Sequence, residues 1–219
     1  MEIYLHTYCR RDYAKIVSDK INKLRLSGLW QKMDKLYIPI SGARDFDGEF
    51  LDDLASMSEK IQLVQYDNPV FNNEPDTLNF IKLRSEELPP ETPLLYMHTK
   101  GVTYTHPIIR QNVESWVRYL DLYTISKWEE CLKALETHDT ASGLYVENPR
   151  HYSGNFWWAK AGYIKTLPYL NQENIKPLER GEFWICSGEN AKCYSVAPNG
   201  PIDRYQNNVV NESDFPSGF

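Results

Sequence analysis

Leu94-Leu95-Tyr96-Met97-His98-Thr99-Lys100-Gly101 is the stretch that decides the fold. Its first four residues form an unbroken apolar run, the pattern of a strand covered on both faces, and the run stops at once in polar residues and a glycine. Working back from it, Leu78, Phe80, Ile81 and Leu83 recur at helical spacing behind Asp76, a suitable N-cap, and Pro89-Pro90 closes that helix. Ile61 to Tyr66 and Leu36 to Ile40 read as two more strands, with turn chemistry and then helical composition between Asp45 and Lys60. The chain opens on a further strand, Glu2 to Thr7. A helix starting near Asp12 follows it and places Tyr13, Ile16, Val17, Ile21, Leu24 and Leu26 on one stripe. This alternation predicts an α/β domain on a mostly parallel central sheet flanked by helices.

Beyond Gly101 the pattern changes. Helices are expected from about Ile109 to Tyr123 and from Lys127 to Thr137, then a strand from Ala141 to Val146, an aromatic strand from His151 to Lys160 and a short helix from Ala161 to Leu167. Glu182 to Asn190 has helical composition, and Tyr194 to Ala197 reads as a final strand. From Pro198 onward Pro, Asn, Asp, Ser and Gly dominate. The expected organisation is one domain over residues 1–205 and a tail, 206–219, that is flexible or leads into further domains of a longer chain.

At 219 residues the chain is long for one domain and short for two. It carries 24 Lys and Arg against 30 Asp and Glu, a net charge of −6, and a pI near 5.4. No general attraction to a nucleic-acid backbone is expected from that balance. A hydrophobic fraction of 42% is enough to build a core rather than a disordered chain. No run approaches the ~18 apolar residues of a membrane span and no secretory segment opens the chain, so a cytoplasmic location is expected. Four cysteines, at positions 9, 131, 186 and 193, contain no C-x-x-C pair and are too sparse for a disulfide scaffold. The phosphate-loop, zinc-spacing and G-x-S-x-G patterns are absent, which argues against P-loop kinases, zinc enzymes and α/β-hydrolases.

Open parallel sheets bind ligands beyond the carboxyl ends of their strands, where helix amino termini converge. Here those ends carry Thr7-Tyr8-Cys9-Arg10-Arg11-Asp12, Ser41-Gly42-Ala43-Arg44-Asp45-Phe46-Asp47, Asn73-Glu74-Pro75-Asp76 and His98-Thr99-Lys100. An aromatic ring for a base, carboxylates for ribose hydroxyls or a metal, and cations for a diphosphate together fit a nucleotide-sugar site.

Three of these motifs carry a resemblance. Thr7-Tyr8-Cys9-Arg10-Arg11-Asp12-Tyr13, Leu95-Tyr96-Met97-His98-Thr99-Lys100-Gly101 and Ser153-Gly154-Asn155-Phe156-Trp157-Trp158-Ala159-Lys160, in this order, resemble segments of GT-A glycosyltransferases. Within that fold they are similar to the rhamnan-synthesis type and to the amino-terminal transferase domain of a chlorella-virus protein. The resemblance implies transfer of a sugar from a nucleotide diphosphate donor, by preference UDP-linked, to a glycan hydroxyl with inversion. It implies that Thr7, Tyr8, Arg11, Asp45, Asp76, His98 and Lys100 bind the donor, and the composition of the tail and the chemistry of its cation add Arg204 and Tyr205 as an expected lid over the diphosphate. Gly154, Asn155, Trp157 and Trp158 would line the sugar and acceptor, and Glu182 would be the base. GT-A enzymes usually hold Mn²⁺ with Asp-x-Asp after the fourth strand, where this chain has His98-Thr99-Lys100. Asp76 and His98 are then the expected Mn²⁺ ligands, with Lys100 sharing the diphosphate charge. Asp45-Phe46-Asp47 follows the second strand instead and suits a base or ribose contact. A carbohydrate-binding module using the same aromatic segment without catalysis is the alternative. A nucleotidyltransferase would show a glycine-rich loop after the first strand, and Cys9-Arg10-Arg11-Asp12 contains no glycine.

Overall fold

β1 (Glu2–Tyr8) lies inside a sheet, as its burial on both faces requires. The computed structural model describes residues 1–42, 45–65, 74–170 and 181–197. β2 (Lys35–Ser41) and β4 (Pro93–His98) flank β1, and β3 (Ile61–Gln65) lies outside β2, all four parallel. The crossovers between them are α1 (Tyr13–Leu26) with the short α2 (Leu29–Lys32), α3 (Gly48–Ser56) and α4 (Glu74–Glu87). β8 (Trp157–Lys160) pairs antiparallel with β4 and with β5 (Thr140–Ser142), and β9 (Cys193–Ser195) extends β5 in parallel. The described strands thus form a seven-stranded sheet, β3-β2-β1-β4-β8-β5-β9, in which only β8 is reversed. The mostly parallel α/β sheet flanked by helices is as expected.

Both faces of the sheet are covered. Leu95 and Met97 of β4 join Val17 and Leu24 of α1 and Trp116 of α5 (Pro107–Asp121) on one face. Leu94 and Tyr96, alternating with them, join Tyr4, Leu78 and Ile81 on the face under α4. α5 runs into a π turn, Leu122–Ser126, and then α6 (Trp128–Leu135). Between α1 and α5 is a buried charge network. Lys20 and Asp121, both fully buried, form an ion pair, and Lys23 Nζ reaches Asp121 Oδ2 at 2.9 Å and Asp19 Oδ2 at 2.7 Å. The Lys20 ammonium also lies 4.6 Å from the Phe156 ring centroid.

The second half departs from expectation in three places, each for a local reason. The strand expected over Ala141 to Val146 is two, β5 and β6 (Tyr145–Glu147), because Gly143 passes so close to Tyr123 that a Cβ there would lie 2.9 Å from the Tyr123 Cβ. The aromatic strand splits into β7 (Arg150–Tyr152), paired with β6, and β8, because Gly154 (φ 91°) and Asn155 (φ 54°) turn the chain between them. Helical structure between Glu182 and Asn190 is confined to one 3-10 turn, Trp184–Cys186. Those three consecutive residues are all buried, so the segment has no solvent face to alternate with. α7 (Ala161–Ile164) follows β8 directly.

Because β8 lies inside the sheet, Phe156, Trp157 and Trp158 are all fully buried. The Trp158 indole donates to Thr124 O in the π turn at 2.8 Å, and the Trp157 indole donates to Asn155 Oδ1 at 3.0 Å. The expectation that these indoles line a sugar is therefore corrected: they are core, the kind of ring whose truncation costs roughly 3–5 kcal/mol. Among the described residues no helix is long and apolar enough to cross a membrane.

Candidate active site

Parallel register puts His6 of β1 beside His98 of β4, and the antiparallel start of β8 brings the turn at Gly154-Asn155 to the same edge. α4 begins at Glu74, followed by Pro75, whose missing N–H is one that a helix start leaves unpaired anyway. Glu74 Oε1 accepts from the Tyr96 hydroxyl at 2.6 Å and from Asn155 Nδ2 at 2.6 Å. His98 Nδ1 lies 3.3 Å from the same oxygen. Burial works against the carboxylate, but the facing His98 charge and hydrogen bond, with His6 and Tyr96 adding to them, outweigh it and hold the pKa at about 2. His98 Nε2 is buried and has no hydrogen-bond partner among the described residues.

Glu182 arrives from the opposite side. Gly154 N–H donates to Glu182 Oε1 at 2.7 Å, so the tight turn that starts β8 also holds this second carboxylate. Gly181 passes directly over Glu74: a Cβ there would lie 2.9 Å from the Glu74 carboxyl carbon. Lys100, half-buried, places Nζ 3.9 Å from the Trp116 ring centroid and forms no ion pair among the described residues. Burial lowers its pKa, while Glu182 and Glu74 pull in the other direction. Two glutamates, His98 and Lys100 thus converge at the carboxyl edge of the sheet, on elements fixed by Tyr96, Asn155 and the buried Trp184.

The loops after β1 and β2 build the adjoining rim. Tyr8 N–H donates to Thr99 Oγ1 at 2.9 Å, and the Tyr8 ring leans on Gly42 (φ 74°) so closely that a Cβ there would lie 2.7 Å from a ring carbon. Asp45 Oδ2 accepts from Arg11 N–H at 2.8 Å, which braces the left-handed backbone of Arg11 (φ 52°). The Arg11 guanidinium turns toward Tyr104 O, 3.4 Å away. Asp47 caps α3 by accepting from Phe50 N–H at 3.1 Å. Asp45-Phe46-Asp47 is therefore a loop brace and a helix cap.

Several expected residues sit elsewhere than the sequence suggested. Thr7 is fully buried and its hydroxyl donates to Leu5 O, so it faces no donor. Asp76 lies inside the first turn of α4 rather than capping it, and Glu74, two residues earlier, is the carboxylate that meets His98. Gly154 and Asn155 shape the site from behind, Asn155 as a brace between Glu74 and Trp157. Arg204, Tyr205 and the tail lie outside the described residues. Glu74 and Tyr96 were missed as site residues; Pro75 marked the helix start that places Glu74 at the edge.

Among the described residues no three His, Cys, Asp or Glu side chains are arranged to hold a metal ion. His98 fits one ligand position, since a metal-bound imidazole characteristically has a carboxylate behind its other nitrogen.

Acidification tests this cluster. His6 is buried, with Nδ1 2.8 Å from Thr77 Oγ1, and burial lowers its pKa from 6.5 to about 4 despite the Glu74 charge. The unfolded chain therefore binds that proton first, and stability is lost as pH falls from about 6.5 to 4. Glu74 adds a loss between its ordinary 4.5 and about 2. Urea midpoints measured against pH should fall across the upper window in the wild type and stay flatter in His6→Gln. Identical slopes would show that His6 does not titrate this way.

No curated protein matches the chain. Among solved structures it is similar to a "putative nucleotide-diphospho-sugar transferase" from Desulfovibrio desulfuricans G20, at 10% identity and a TM-score of 0.49, over 92% of this chain and 81% of that one. Residues 2–178 match the family described as "Domain of unknown function (DUF8361)", and the protein belongs to that family.

Proposed function

We propose that the protein is a glycosyltransferase that moves a sugar from a nucleotide diphosphate donor to a hydroxyl group. The observation that carries this reading is the pair of unlike glutamates beside Lys100 and His98 at the carboxyl edge of the sheet, the edge where such sheets bind ligands. Glu74, held near a pKa of 2 chiefly by the charge and hydrogen bond of His98, is too weak a base to take a proton at neutral pH and serves to fix His98 and Asn155. Among the described residues Glu182 is hydrogen-bonded through Oε1 alone, by Gly154 N–H, which leaves it the base.

In the reaction, Glu182 takes the proton of the acceptor hydroxyl and the oxygen bonds to the anomeric carbon. The bond from that carbon to the diphosphate oxygen breaks in the same step, with inversion, and its electron pair leaves on the diphosphate. Lys100 neutralises the developing charge in a half-buried setting where it counts for more than in water. The Tyr8 ring, set on Gly42, offers the surface for the base, with Asp45 near the ribose; uracil is the preferred base. A divalent cation such as Mn²⁺, with His98 Nε2 as a ligand, would supply further charge neutralisation at the diphosphate. The glycan acceptor and cytoplasmic setting belong to the same reading. A non-catalytic carbohydrate-binding module loses its platform, because Trp157 and Trp158 are buried.

Isothermal titration with UDP, UDP-glucose and a dTDP-sugar, each with Mn²⁺ and with EDTA, tests the donor site. A UDP-sugar should bind, and Lys100→Ala should weaken it by about tenfold or more, from the ~1.5–3 kcal/mol of a charge-assisted hydrogen bond. Weaker binding in EDTA would support the cation. No binding of any nucleotide would overturn the reading.

A further inference from the structure

A cavity of about 230 Å³ opens between α1 and α5, beside the loops that follow β1 and β4. Its floor is apolar, made by Ile16, Val102, Val113 and Val117. Its rim holds six Lys and Arg side chains against three Asp and Glu, an excess of three positive charges in a chain whose net charge is −6. The three acids are already committed. Asp12 and Glu114 both pair with Arg110, and Asp19 pairs with Lys23. Arg11, Lys15 and Lys100 line the same cavity with no carboxylate ion-paired to them among the described residues.

We infer that this cavity is an oxyanion subsite that receives a phosphate or carboxylate carried by a sugar unit of the acceptor. Three cations that form no ion pair with a carboxylate among the described residues, set around a concave apolar floor, concentrate positive potential where water is partly excluded. The cavity lies below the ~300–1,000 Å³ of sites that hold whole cofactors or drug-sized ligands, so it fits one charged ring and not a nucleotide sugar. The apolar floor suits the carbon face of a sugar ring better than a diphosphate. Lys100 connects the two regions: it lines this cavity and also lies within electrostatic reach of Glu182 and Glu74. An anion seated here therefore sets its sugar next to the base. That the occupant belongs to the acceptor rests on the proposed transfer, whereas the anion site stands on the cavity alone.

Titration of the full chain with a hexose 6-phosphate, a hexuronate, the unmodified hexose and inorganic phosphate, without and with saturating UDP, tests the inference. At least one charged sugar should bind about tenfold more tightly than the neutral hexose. Lys15→Glu, on an exposed position that the fold tolerates, should abolish most of that preference, and Val117→Trp, which fills the cavity without changing charge, should do the same. UDP should not compete. Binding of the neutral sugar as tightly as both charged ones, or an unchanged preference in Lys15→Glu, would overturn the subsite. Competition by UDP would overturn the acceptor assignment and give the cavity to the donor, and inorganic phosphate binding as tightly as the sugar phosphate would overturn recognition of a sugar. If charged sugars bind and no nucleotide does, the anion site stands and the transferase reading falls.

Discussion

Glu182→Gln should lower kcat for sugar transfer by about 10²–10⁴-fold, the usual contribution of a positioned general base. The substitution keeps the shape of the side chain and an oxygen that can still accept the Gly154 N–H, so the turn that starts β8 is preserved. What it removes is the capacity to take a proton. Donor affinity, read by titration, should stay within about twofold, because the base acts on the acceptor hydroxyl and not on the diphosphate. Glu74→Gln is the informative companion. It removes the charge facing His98 and weakens the hydrogen bonds from Tyr96 and Asn155, and so should alter stability and donor binding as well as rate. A Glu182→Gln enzyme that retains wild-type kcat would move the base elsewhere.

Asp121→Asn should destabilise the fold by about 3–5 kcal/mol, the range for removing one partner of a buried ion pair. Asp121 is fully buried and is the counterion shared by Lys20 and Lys23. Burial already lowers the Lys20 pKa to about 8 in the presence of that carboxylate. Without it, the Lys20 ammonium keeps the Phe156 ring face and the charge of Asp19, with which it forms no ion pair among the described residues, whereas Lys23 is ion-paired to Asp19. The urea midpoint should fall with an unchanged slope. The double substitution Lys20→Met, Asp121→Asn should recover part of the loss, because it removes the stranded charge. No recovery in the double variant would show that the loss comes from packing between α1 and α5 and not from charge.

The elements legible in the sequence were those with a local signature. The apolar run at Leu94 to Met97 and the helical stripes at Tyr13 to Leu26 and Leu78 to Leu83 appear in the structure as β4, α1 and α4. The short second-half elements were less legible, because β5, β6 and β7 are three residues each and carry too few side chains to establish a period. Gly154 and Asn155 illustrate the difficulty: within an aromatic stretch they looked like part of one strand, yet their positive φ angles divide it.

The alternation of strands and helices from Glu2 to His98, the placing of polar residues at strand ends and the His98-Thr99-Lys100 motif were determined by the sequence alone, since periodicity and turn chemistry act between near neighbours. Only the tertiary structure decided which partners each carboxylate meets. Glu74 meets Asn155 across 81 residues and Glu182 meets Gly154 across 28. It also decided that Trp157 and Trp158 are core, because β8 is inserted between β4 and β5 and both of its faces are covered. Local sequence specifies a side chain's chemistry and its backbone preference. The charge, burial and partners that set a carboxylate as anchor or base come from chain segments far away in sequence, and only folding brings them together.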